Sequence, residues 1–124
     1  MACVSAAPTR SVLIVDDNED VADLLSDYLS RAGVEVGTAY DAAGAWTKAT
    51  KLRPEIVLLD LELPDERGDV LARRLREAGL ARSIVAMTGH SRAFVDESFE
   101  SGAFDGYLQK PCPLDQIDAL LGIR

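Results

Sequence analysis

The sequence predicts an α/β domain: a parallel β-sheet with helices on both faces. Three observations lead there. Short apolar runs at residues 12–15, 56–59 and 84–87 have the length of strands and are bounded by polar or turn residues. Segments with apolar residues at helical spacing separate these runs. The runs are continuous rather than alternating, as expected for strands buried on both faces. Strand and helix alternate five times, which favours parallel pairing with right-handed crossovers.

The first strand is VLIV, ending at Asp16–Asp17. A helix follows, with Val21, Leu24, Leu25, Tyr28 and Leu29 on one side and Asp20, Asp23, Asp27 and Arg31 elsewhere; Gly33 stops it. Residues 34–39 form a weaker second strand. Asp41 is placed to cap a second helix, whose apolar side carries Ala42, Ala45, Trp46 and Ala49, with Pro54 beyond it. The third strand ends at Asp60. Gly68 precedes a third helix with Leu71, Leu75 and Ala78 inward, and Gly79 ends it. The fourth strand ends at Thr88. A fourth helix runs from a cap at Ser91 through Phe94, Val95 and Phe99 to about Gly102. Residues 106–108 form the last strand, followed by Lys110–Pro111, and Pro113 opens a fifth helix. Residues 1–10 read as a disordered tail and 11–124 as the domain.

Composition narrows the function. The chain has 124 residues, long enough for a core that needs no disulfide or metal staple. Its formal net charge of −8 argues against direct nucleic-acid binding, which needs a basic footprint, and against an anionic membrane surface. No stretch has the length of a membrane span and the first residues lack a signal-peptide apolar core. Cys3 and Cys112 have no zinc-type neighbours and read as reduced thiols. A cytoplasmic location is expected.

Strands of a parallel sheet bring their carboxyl ends to one edge, where ligands of such folds bind. That edge collects Asp16, Asp17, Asp60, Thr88 and Lys110. Three carboxylates so placed repel one another unless a cation intervenes. Mg²⁺ fits, being a hard ion that takes oxygen ligands and often bridges to phosphate, with Mn²⁺ as a substitute. Each residue alone has a plainer reading. Asp16–Asp17 can be a helix cap and its neighbour, and Asp60 or Thr88 a turn residue. Lys110 can be a solvated surface lysine. Their joint placement at successive strand ends makes the signal specific.

Four stretches, VLIVDDNEDV, RPEIVLLDLELPDERG, IVAMTGH and GAFDGYLQKP, resemble the receiver domains of two-component response regulators over about residues 11–121. The resemblance implies a flavodoxin-like (βα)5 three-layer sandwich with strand order 2-1-3-4-5. It implies that Asp60 accepts a phosphoryl group. Asp16, Asp17, Asp60 and the backbone carbonyl of Glu62 would hold Mg²⁺. Thr88 and Lys110 would contact phosphoryl oxygens, Tyr107 would be the switch aromatic, and Lys110–Pro111 would be cis. The donor would be a histidine kinase or a histidine phosphotransfer protein, and a downstream protein target would read the switch. Such a domain is not an enzyme with free-substrate turnover. Glu62 and His90 flank the expected water path and are candidates for tuning phosphoryl lifetime; His90, the only histidine, has the plainer reading of a solvated loop residue.

Two alternatives stand beside this reading. A phosphohydrolase would also use a strand-end aspartate, with Glu62 as the acid two residues on, but such folds usually add a cap domain. A degenerate receiver would serve only as an interaction surface. A nucleotide-binding module is weaker, because no glycine-rich phosphate loop is present.

Overall fold

The computed structural model describes residues 11–61, 63–88 and 104–109. The elements are β1 (Ser11–Val15), α1 (Glu19–Arg31), β2 (Glu35–Ala39), α2 (Ala42–Leu52), β3 (Ile56–Asp60), α3 (Gly68–Glu77), β4 (Ser83–Thr88) and β5 (Gly106–Gln109). All pairings are parallel and the sheet order is β2-β1-β3-β4-β5, as the resemblance implied. The tail, Glu62, His90, Lys110, the Lys110–Pro111 bond and the expected fourth and fifth helices lie outside the described residues.

The period-2 geometry of the strands divides the core in two. Val12 and Ile14 of β1 and Ile56 and Leu58 of β3 point to one face and meet Ala22, Leu25 and Leu29 of α1. Leu13, Val15, Val57 and Leu59 point to the other and meet Ala42, Ala45 and Ala49 of α2 with Leu71, Ala72 and Leu75 of α3. Both faces of the sheet are covered, which is why the strands carry unbroken apolar runs.

Local chemistry sets the ends of the helices. Asn18 caps α1, its side chain accepting the Val21 N–H at 3.3 Å. Asp41 caps α2, with Oδ1 accepting from Gly44 at 2.7 Å. At the end of α1 the Val34 N–H donates to the Leu29 carbonyl and Gly33 N–H to Ser30. At the end of α3, Leu80 donates to Leu75 and Gly79 to Arg76. These are paired Schellman caps, each with a glycine at positive φ (89° and 69°) and a buried apolar residue after it. The helix α2 ends instead on Arg53, a non-glycine residue at φ 49°, ahead of Pro54.

Three expectations from periodicity are corrected. Leu24 is 65 % exposed, and Ala22, not Leu24, fills the α1 contact. Ala78 is the exposed C-cap of α3, and Ala72 takes the inward position. Gly68 is the first residue of α3 rather than its predecessor. An added Cβ there would stand 2.7 Å from the Asp60 carbonyl oxygen and 2.8 Å from Leu61 Cα, so the helix reaches the end of β3 only because this residue has no side chain.

Candidate metal centre

β1 and β3 run side by side, with Ile14 opposite Leu58 and Val15 opposite Leu59. One further step along that register sets Asp16 beside Asp60. Both have the parity of the residues facing α1. The Asp16 N–H continues the ladder, donating to the Ala39 carbonyl of β2 at 3.0 Å, and the Leu61 N–H donates to the Met87 carbonyl of β4 at 3.2 Å. The two carboxylates are therefore carried on backbone that remains hydrogen-bonded into the sheet.

Asp16 is fully buried, Asp60 is 6 % exposed and Asp17 is exposed. One carboxylate oxygen from each of the three lies within 4.8 Å of the others. Two unit charges 4.8 Å apart repel by about 3.5 kcal/mol at an effective dielectric of 20, a repulsion that a bound cation would offset. Asp16 is partly restrained by its neighbour, since Oδ1 accepts the Asn18 N–H at 2.9 Å, while Oδ2 is shut away from solvent. The plainer reading of Asp16–Asp17 as a helix cap does not hold, because Asn18 performs that role. Three hard oxygen donors, two buried and one facing solvent, suit a divalent cation that enters from water and keeps part of its hydration shell.

Thr88 is the last residue of β4, opposite Gln109 of β5, and Tyr107 lies opposite Ala86. The backbone thus brings Thr88 to the same carboxyl edge of the sheet as Asp16 and Asp60.

Two further acids shape the surroundings and carried no signal in the sequence. Asp65, in the turn after β3, accepts the Ala42 N–H at 2.8 Å and the Ala43 N–H at 3.1 Å, both in the first turn of α2. The Ala42 bond above all holds its carboxyl below the ordinary carboxylate range; desolvation opposes it, and the Ala43 bond adds to the lowering. Asp105, just before β5, accepts the Ile84 N–H at 2.8 Å and pairs with Arg76 of α3. Burial pushes its carboxyl up, but the Ile84 bond and the Arg76 hydrogen bond and charge together outweigh this and leave it lowered. Both acids act on partners more than twenty residues away, so no local pattern could have revealed them.

A parallel sheet in this order, with an acidic cluster at its carboxyl edge, is the architecture of signalling receivers, and the comparisons with known proteins agree. Residues 12–121 match the response regulator receiver domain family, and the chain belongs to that family. It is similar to the alkaline phosphatase synthesis transcriptional regulatory protein PhoP of Bacillus subtilis, at 33% identity over 89% of this chain and 46% of the relative. It is also similar to the sensor histidine kinase RcsC of Escherichia coli K12, at 32% identity over 95% of this chain and 12% of the relative. The chain thus spans less than half the length of these curated relatives. Among solved structures, a two-component response regulator from Clostridium difficile superposes with a TM-score of 0.82 at 25% identity, covering 90% of this chain and 91% of that one. The response regulator TrrA from Thermotoga maritima, solved in complex with Mg²⁺–BeF, superposes with a TM-score of 0.78 at 28% identity, covering 90% and 95%. Among the described residues no helix is long and apolar enough to cross a membrane.

Proposed function

We propose that this receiver takes a phosphoryl group from a phosphohistidine onto Asp60 in a Mg²⁺-dependent reaction and thereby switches a partner-binding face. The observation that supports it best is the meeting of Asp16, Asp17 and Asp60 within 4.8 Å at the carboxyl edge of the sheet. The donor set fits the ion. Asp16, Asp17 and Asp60 would hold Mg²⁺, with the Glu62 carbonyl as a further ligand; once bound, the ion supplies positive charge to the phosphoryl oxygens and offsets the repulsion among the acids.

Asp60 is the nucleophile. Its carboxylate oxygen attacks phosphorus in line, the P–N bond to the imidazole breaks, and the electron pair leaves on the ring nitrogen. The product is an acyl phosphate, and water later attacks phosphorus to return the carboxylate and inorganic phosphate. Thr88 donates a hydrogen bond to a phosphoryl oxygen and Lys110 pairs with another. Asp60 carries the group only once per donor, so the chain is a signalling acceptor rather than an enzyme with free substrate. When Thr88 moves toward the phosphoryl group, Tyr107 turns into the space behind it, and the altered face meets a downstream protein. Glu62 and His90 tune how long the acyl phosphate survives. The donor is a histidine kinase or a histidine phosphotransfer protein, and the reaction belongs in the cytoplasm.

Incubation with acetyl phosphate and Mg²⁺, followed by peptide mass spectrometry, tests the proposal. The expected result is a single phosphoryl adduct on Asp60 that is absent without Mg²⁺ and absent in Asp60→Asn. Labelling elsewhere, or none with a competent phosphohistidine donor, overturns it. Multiple turnover of a small phosphate ester would point instead to a phosphohydrolase.

A further inference from the structure

A chain of contacts links the backbone beside Asp16 to the turn that follows Asp60, and one residue closes it. On one side, Asp16 is tied through its N–H to Ala39, the last residue of β2. The backbone then turns through Tyr40 and Asp41 into α2. On the other side, the turn after Asp60 closes on itself, the Gly68 N–H donating to the Leu61 carbonyl at 3.0 Å. Asp65 lies within that turn. Its two oxygens take separate partners on α2, Oδ1 the Ala42 N–H and Oδ2 the Ala43 N–H. Asp65 therefore bridges the turn that leaves Asp60 to the helix that follows Ala39, whose carbonyl takes the Asp16 N–H.

The neighbouring residue reinforces the same span. Glu66 accepts from Arg74 of α3 with both oxygens, at 2.7 and 2.9 Å, and the Arg74 guanidinium lies 4.9 Å from the centre of the Trp46 ring on α2. Two adjacent acids thus fasten one turn to α2, Asp65 directly and Glu66 through Arg74. The Asp41 side chain already caps Gly44, so Asp65 supplies the partners for the two N–H groups of the first turn that Asp41 does not take. The N-terminal end of α2 also carries the positive end of its dipole, which favours a carboxylate.

We infer that Asp65 is a positioning residue for the Asp16–Asp17–Asp60 centre: by bridging the turn after β3 to the first turn of α2, it holds in place the turn that leaves Asp60, and so tunes the affinity for Mg²⁺. The inference rests on the proposed function, and its test separates the two. Residues that hold a metal ligand in place typically change affinity by about 10-fold or more when removed, and Asp65 acts one step further out, so a weakening of about 3- to 10-fold is expected.

The experiment measures the Mg²⁺ dissociation constant by calorimetry and the Asp60 phosphorylation rate at saturating Mg²⁺ in wild type, Asp65→Ala, Asp65→Asn and Asp27→Asn. Asp65→Asn keeps one acceptor oxygen and is expected to lie between wild type and Asp65→Ala. Asp27→Asn makes the same charge change at an exposed α1 ion pair and is expected to match wild type. Melting curves place the measurements below unfolding, and if Asp65→Ala does not fold, Asp65→Asn alone decides the matter. A lowered melting temperature with wild-type Mg²⁺ affinity and rate makes Asp65 a purely structural clamp and overturns the inference. Equal weakening in Asp27→Asn attributes the effect to net charge and overturns it too. Wild-type protein that binds no Mg²⁺ would overturn the proposed function itself.

Discussion

Gly68→Ala tests how tightly α3 is set against the end of β3. The new Cβ would lie 2.7 Å from the Asp60 carbonyl oxygen, 2.8 Å from Leu61 Cα and 3.1 Å from the Leu61 carbonyl oxygen. Contacts below 3.0 Å are essentially never seen for real Cβ atoms, and ordinary contact begins at 3.4 Å. The backbone must therefore open by about 0.7 Å at its tightest point, and all three obstructing atoms are main chain, with no flexible side chain to yield. Forced overpacking of this kind costs about 1–3 kcal/mol, and the absence of soft neighbours puts Gly68→Ala near the upper end. For a domain of this size that is a fall in Tm of roughly 8–12 °C. The displacement falls on Asp60, so Mg²⁺ affinity should drop as well. Gly106→Ala is the matched control: nothing lies within 4 Å of its added Cβ, and it should be neutral or slightly stabilising. The assay is urea and thermal denaturation of both variants with Mg²⁺ titration alongside. A Gly68→Ala protein as stable as Gly106→Ala, with unchanged Mg²⁺ affinity, would refute the close approach of α3 to Asp60.

Other perturbations follow from the same geometry. In EDTA, Asp60→Asn should be more stable than wild type by about 1–2 kcal/mol, part of the Asp16–Asp60 repulsion, and Mg²⁺ should stabilise wild type far more than the variant; equal responses to Mg²⁺ in denaturant melts would rule this out. Asp105 should contribute stability with a definite pH dependence. Its folded pKa lies below the ordinary 3.8, so the contribution is complete above that value and disappears as pH falls through the lowered one. Wild type and Asp105→Asn should thus differ near neutrality and converge in strong acid, as followed by circular dichroism. Asn18→Ala removes the α1 cap and should cost about 0.5–1 kcal/mol in urea denaturation, because the 3.3 Å bond is exposed and long; the Asn18 N–H that Asp16 accepts is main chain and survives the change, so Mg²⁺ affinity should stay at the wild-type value.

Much of the site was legible because chemistry and chain order coincide. In a parallel sheet every strand ends at the same edge, so Asp16, Asp17, Asp60 and Thr88 could be grouped from their places after apolar runs. What could not be read was which acid does what. Asp16–Asp17 and Asn18 are all good cap residues in sequence, and only the direction of the Asn18 side chain toward Val21 leaves the aspartates for another purpose. The helical pattern likewise put Leu24 on the apolar side of α1, yet the width of the contact with the sheet admits Ala22 and leaves Leu24 outside.

The amino-acid order alone therefore determined the fold class, the helix stops at Gly33 and Gly79, and the convergence of acids at one edge, because these depend on short-range periodicity and on strand direction. Tertiary structure decided the distances within the cluster, the bridge from Asp65 to α2, the Asp105–Arg76 link and the demand for glycine at position 68. Each of these joins atoms that are remote along the chain or brought together by packing, and the free energy of such a contact exists only once the sheet has set both partners in place.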